Sequence, residues 1–209
     1  MSAYKTVKEL GESRFEDRKS VFIGYCIPVS TESDAISFIT SVKKKYPDAR
    51  HWVYAYVLRE NSTMRFTDDR EPQGTAGMPI LDIIRKRELV DICVVVVRYF
   101  GGVLLGTGGL VHAYSQACLE AIESASEIRY SLYSTVGVTL SYSDHGRILP
   151  LLAAANVYVD DVEYLDSVTV ILSCESGDLA TITAQITELT SGRATVELIE
   201  EKYDFKEEN

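Results

Sequence analysis

Asp91–Ala125 reads DICVVVVRYFGGVLLGTGGLVHAYSQACLEAIESA, and its pattern decides the fold. It opens with an apolar, β-branched run, Ile92–Val97, within a predicted strand Asp91–Arg98 covered on both faces. A glycine-rich turn, Gly101–Gly109, follows. Leu110, Ala113, Tyr114, Ala117, Cys118, Ala121 and Ala125 then recur at helical spacing, which predicts a long helix ending near Ala125. The small residues on its apolar face permit close packing against a sheet. A strand that passes through glycines into a helix is also the geometry of many anion sites. The first N–H groups of a helix have no partner inside it, and that end carries positive potential.

Upstream, Lys19–Val29 (KSVFIGYCIPV) reads as a strand stopped at Pro28. Thr31–Tyr46 places Ala35, Ile36, Ile39, Val42 and Tyr46 on one helical face, and Pro47 ends it. His51–Arg59 and Thr63–Thr67 form an antiparallel pair around Glu60–Ser62. Asp68–Met78 is too rich in proline and glycine for a regular element, and Pro79 opens a short helix through Arg87. Downstream the pattern is strand Ser134–Tyr142, helix Asp144–Ala155, strands Val157–Tyr164 and Val168–Cys174, helix Gly177–Thr190 and strand Ala194–Ile199. That order, βαββαβ, is the ferredoxin-like split motif. The charged tail Glu200–Asn209 is expected to fray. The fold class is therefore α+β in two domains, 1–130 and 131–209.

Charge divides the chain at the same place. Residues 1–130 hold 17 Lys+Arg and 17 Asp+Glu, whereas 131–209 hold 4 and 14, which accounts for the whole net charge of −10. Phosphate contacts need clustered Lys and Arg, so the C-terminal part is a poor polyanion binder and could instead dock on a basic protein. Hydrophobic residues make up 46% of the 209 and charged residues 25%, which excludes a disordered chain. Mean hydropathy is −0.01, and no apolar run could cross a bilayer. Met1–Glu12 lacks the apolar core of a secretory signal, so a cytoplasmic protein is expected. Cys26, Cys93, Cys118 and Cys174 form no close pair and read as reduced, buried thiols.

Two segments depart from core patterning. In Thr67–Pro79, TDDREPQGTAGMP, the acids Asp68, Asp69 and Glu71 lie within four positions. They could hold a hard cation or supply a general base, or simply accept backbone hydrogen bonds in a turn, and Arg70 would oppose a cation. The second is Arg98–Tyr114. Its glycines fail the dinucleotide fingerprint at Val111 and the phosphate-loop pattern at Thr107, where lysine is required. His51, His112 and His145 show no metal-ligand spacing, and no GxSxG occurs, so no metal, cofactor or catalytic set is expected. His51 gains interest only if the fold brings it beside Asp68–Glu71. Lys43–Lys45 and Arg85–Arg87 suit helix C-termini, and with Arg50, Arg65, Arg98 and nearby aromatics they could also face RNA.

The two segments also carry a resemblance. Arg65–Leu81 (RFTDDREPQGTAGMPIL) and Val94–Ala117 (VVVVRYFGGVLLGTGGLVHAYSQA) resemble the IMPACT family, in particular its bacterial YigZ-like branch. The opening strands KSVFIGYCIPV and HWVYAY match as well. Two positions depart from the family's usual pattern: Arg70 stands for glycine and His112 for arginine. The resemblance implies a first domain, βαβ-containing, like the fourth domain of elongation factor G, and a second like its fifth. Relatives regulate translation; together with this, the glycine turn opening a helix, the nearby arginines and aromatics and the lack of a complete catalytic set point to a non-catalytic binding or regulatory protein linked to translation, contacting ribosome, RNA or a protein partner, and a monomer is favoured. The motif surface the resemblance carries over is Asp68, Asp69, Glu71, Gly74, Thr75, Gly77, Arg98, Gly101, Gly102, Gly106, Gly108 and Gly109, with His51 as an addition. The alternative is a metal-assisted hydrolase, a peptidase or phosphoesterase, built on the acidic loop 68–71.

Overall fold

A computed structural model describes residues 3–206. The chain forms two compact units, one of residues 4–129 and one from Tyr130 onward. The first contains β1 (Tyr4–Val7), β2 (Gly11–Asp17), β3 (Ser20–Pro28), α1 (Glu32–Lys45), β4 (His51–Val57), β5 (Met64–Thr67), α2 (Gly77–Lys86), β6 (Ile92–Tyr99) and α3 (Gly106–Ala125). Five of these strands make a sheet in the order β2-β3-β6-β4-β5, antiparallel throughout.

Strand β6 is central, and its alternation explains the unbroken valines. Val94 and Val96 face a core shared with α2 and α3, while Cys93, Val95 and Val97 face a second core under α1. β3 and β4 flank β6 and so run parallel to each other, with α1 as the crossover between them. Thr31 caps α1 in a reciprocal box with Asp34, and Lys43–Lys45 sit in its last turn. The expected apolar face of α3 is buried from Leu110 to Ala125.

Several elements differ from the sequence expectation: α2 begins at Gly77 rather than Pro79, and the strand expected from Ser134 begins at Glu127. Helix α3 begins at Gly106, so Gly106, Gly108 and Gly109 form its first turn and do not belong to the preceding loop. Strands β1 and β2 had no expected counterpart, because their sequences, YKTV and GESRFED, are polar and charged. Every second residue of β2 is solvent-facing, so hydrophobicity alone does not reveal it.

The second unit takes up β7 (Glu127–Leu140) from Tyr130 and continues with α4 (Tyr142–Ala154), β8 (Val157–Tyr164), β9 (Val168–Glu175), α5 (Leu179–Thr190) and β10 (Thr195–Asp204). Strand β7 lies between β10 and β9, with β8 beyond β9, all antiparallel. This is the ferredoxin-like arrangement. Val136, Val138, Val170 and Leu172 pack with Ile148, Leu152, Ile182 and Ile186 of the two helices. The expected fraying from Glu200 is corrected as far as Asp204, because β10 pairs residue by residue with β7 to that point. Residues 207–209 of that tail lie outside the described residues. All four cysteines are free and buried. No helix among the described residues is long and apolar enough to cross a membrane.

Candidate functional site

The acidic loop does not gather its carboxylates on one point. Asp68 turns inward and accepts hydrogen bonds from the backbone N–H groups of Gly74, Ala76 and Gly77 at 2.8, 3.1 and 2.8 Å. It thereby caps α2, whose own N-cap residue, Ala76, has no side-chain acceptor. The Asp69 carboxylate accepts from Trp52 N–H at 2.7 Å and its backbone carbonyl lies 2.8 Å from His51 Nδ1. Both join the loop to the start of β4. Thr75 closes a local turn on the Pro72 carbonyl.

Glu71 does something different. Its carboxylate is buried, accepts from the Arg98 guanidinium at the end of β6, and accepts from the Tyr114 hydroxyl of α3 at 2.8 Å. His51 Nε2 lies 3.7 Å away. Four elements of the fold therefore meet on one carboxylate. The Tyr114 hydroxyl is pushed well above its usual range, mainly by burial and then by the charge of Glu71. Among the described residues, no group of three His, Cys, Asp or Glu side chains is arranged to hold a metal ion.

The glycine segment folds against the same place. Gly101 passes so close to the β2–β3 turn that an added Cβ would lie 2.0 Å from the Lys19 carbonyl carbon, and its N–H donates to Ser20 Oγ. Gly106, where α3 starts, has φ +75°, a left-handed backbone that favours glycine. Gly102 and Gly74 are also left-handed, at +82° and +77°. No side chain of the N-cap residue, Leu105, caps α3, and an added Cβ at Gly106 or Gly108 would meet no atom within 4 Å. At Gly108 packing gives no reason for glycine. Apart from Thr107, the first turn of α3 carries no side chain.

A cavity of about 340 Å³ opens where the segments meet. From β4 and its approach come Arg50 and His51, from the acidic loop Arg70, Glu71 and Pro72, and from the end of β6 Arg98 and Phe100. Leu104, Leu105, Gly106, Thr107 and Leu110 complete it. Of the residues singled out in the sequence, Glu71, Arg98, Gly106 and His51 line it. Asp68, Asp69, Gly74, Thr75, Gly77, Gly101, Gly102, Gly108 and Gly109 do not, and several of them instead shape the loops that do. His112 is exposed on α3 and is not part of the lining.

The charge of Glu71 is matched by Arg98, so Arg50 and Arg70 give the cavity its positive sign. Arg70 lies 3.9 Å from the Asp69 carboxylate and is largely exposed. The Arg50 and Arg98 guanidinium carbons lie 5.5 and 5.6 Å from the centroid of the Phe100 ring. Sequence reasoning missed Tyr114 as a site residue because it reads as one more apolar position of α3. Its signal was a hydroxyl on a fully buried helix face, which needs a partner.

Comparison with known proteins follows the two units. Residues 18–122 match the model of the Impact N-terminal domain, and residues 138–193 match a domain of unknown function, DUF1949. The IMPACT family member YvyE of Bacillus subtilis (strain 168) is 36% identical, with 94% of this chain and 91% of that protein covered. The IMPACT family member YigZ of Escherichia coli (strain K12) is 31% identical, over 89% and 93% of the two chains. Among solved structures, the crystal structure of a hypothetical protein superposes with a TM-score of 0.60 at 29% identity, covering 96% of this chain and 98% of that one.

Proposed function

This chain belongs to the IMPACT family, and from that premise we propose that it is a non-catalytic binding and regulatory protein linked to translation. On this reading it acts in the cytoplasm, as a monomer, within the YigZ-like branch. Its N-terminal unit, like the fourth domain of elongation factor G, holds a negatively charged partner such as RNA or the ribosome. Its C-terminal unit corresponds to the fifth domain.

One observation carries the reading. Arg50, Arg70 and the uncapped first turn of α3 converge on a single cavity built from both motif segments. Gly74, Gly101, Gly102 and Asp68 hold the loops in shape, Glu71 with Tyr114 and His51 fixes Arg98 in the wall, and Arg50 and Arg70 supply charge. The hydrolase alternative needs Asp68, Asp69 and Glu71 free to converge on one ion, and their carboxylates go to three separate partners. No observation favours it.

The test is filter binding of RNA and of ribosomes at two salt concentrations, with wild type and with Arg50→Glu/Arg70→Glu. Phosphate binding weakens steeply as salt rises, and the double reversal should cost on the order of tenfold or more in affinity. Failure of the wild type to bind either one at the lower salt concentration would remove the reading.

A further inference from the structure

We propose that the cavity takes a nucleotide bearing a terminal phosphate monoester, either a free mononucleotide or the phosphorylated end of an RNA strand. The proposal rests on the anion-binding reading above and names the ligand for it.

The shape argues first. A surface that only tracks a nucleic-acid backbone is a groove, whereas a concave volume of about 340 Å³ falls within the range of small-ligand sites. Its walls are apolar at Pro72, Leu105 and Leu110, and Leu104 stands exposed at its rim. Phe100 supplies the phenyl ring of the lining, beside the His51 imidazole; Arg50 and Arg98 lie over parts of it, and at 39% exposure the rest remains open to a stacking partner. A base on that ring would also lie near the Arg50 guanidinium.

Charge places the phosphate. The bare N–H groups at the start of α3 and the Thr107 side chain lie in the same lining as Arg50 and Arg70. A monoester carries nearly two negative charges near neutral pH and a diester one, so this cluster favours a terminal phosphate over an internal one. Glu71 also faces the cavity, and its ion pair with Arg98 keeps it from opposing the ligand.

A separate observation points to a missing acceptor. The Arg98 side chain is only 5% exposed, lines the cavity, and has an Nε–H with no hydrogen-bond partner among the described residues. Buried guanidinium donors are ordinarily satisfied, and leaving one unmade is costly. The Nε atom itself is closed to solvent, so a ligand oxygen seated against this wall would supply the acceptor once the guanidinium shifts toward the cavity.

The experiment uses the full chain and two readouts. Calorimetry compares adenosine monophosphate, adenosine and inorganic phosphate. Fluorescence anisotropy compares one RNA oligonucleotide with a 5′-phosphate and with a 5′-hydroxyl. The expected result is at least about tenfold preference for the monophosphate over adenosine and over phosphate, or for the 5′-phosphorylated RNA over its 5′-hydroxyl twin. The first preference identifies the free nucleotide as the source and the second the RNA end. Phe100→Ala and Arg50→Gln, both at exposed side chains, should each lower that affinity about tenfold with an unchanged melting temperature. If either variant fails to fold, the wild-type comparisons alone decide. Salt-sensitive RNA binding that ignores the end group, without heat from the monophosphate, overturns this proposal and leaves the anion-binding reading standing. Inorganic phosphate binding as tightly as the monophosphate overturns the nucleotide assignment. If neither RNA nor any small anion binds, both readings fall.

Discussion

The Tyr114 hydroxyl donates to Glu71 Oε1 across 2.8 Å, tying the buried face of α3 to the acidic loop 43 residues earlier in the chain. The same oxygen accepts from Arg98, so one buried carboxylate positions a helix, a strand end and a loop together. The cavity exists because this carboxylate faces inward and its two acidic neighbours are spent on backbone.

Glu71→Gln should destabilise the protein by about 3 kcal/mol, because it leaves the buried Arg98 charge without a counter-ion. Urea denaturation of wild type and variant measures this. A loss under about 1 kcal/mol would mean that Arg98 finds another partner or reaches water.

Asp68→Ala removes the acceptor for three backbone donors around the start of α2 and should cost about 2 kcal/mol. Hydrogen exchange of the Ala76 and Gly77 amides is the local readout. Unchanged protection there would show that Asp68 does not hold that turn.

Arg70 has φ +71°, which is unfavourable for any residue with a Cβ. Arg70→Gly should therefore raise stability by about 1 kcal/mol while weakening RNA binding. Thermal melts and filter binding on one variant separate the two effects. A variant both less stable and equally good at binding would contradict both assignments.

These pairings were only partly legible in the sequence. The valine run of β6 and the small-residue face of α3 announce a two-sided sheet, since alternation and helical spacing are local signals. The ferredoxin-like unit was equally plain from its strand and helix order. Beyond that, Asp68, Asp69 and Glu71 are chemically alike and neighbours in sequence, so no local pattern could assign one to a helix cap, one to a strand edge and one to an arginine. The meeting of Arg50, Arg70 and Phe100 depends on β4, the acidic loop and β6 coming together, which is a property of sheet order. Arg70, which opposes a cation in the loop, lends the cavity its sign together with Arg50.

Asp144 gives the C-terminal unit a pH dependence. Its pKa is lowered to about 2, chiefly by hydrogen bonding to Arg193, with Ser141 and Arg147 assisting. An unfolded chain would hold this carboxyl near 3.9. Its stabilising contribution is therefore complete above about pH 4 and is lost as pH falls toward about 2, because protons bind the unfolded chain first. Asp144→Asn should flatten the decline of the urea midpoint across that window. An identical decline in both proteins would assign the acid sensitivity elsewhere.

The most direct test of the central claim is a nuclear magnetic resonance titration of the isotope-labelled full chain with a 5′-phosphorylated RNA oligonucleotide. Shift changes are expected at the backbone amides of Gly106, Thr107 and Gly108, together with the side chains of Arg50 and Arg98. Changes confined to the C-terminal unit, or to residues remote from this cavity, would contradict it.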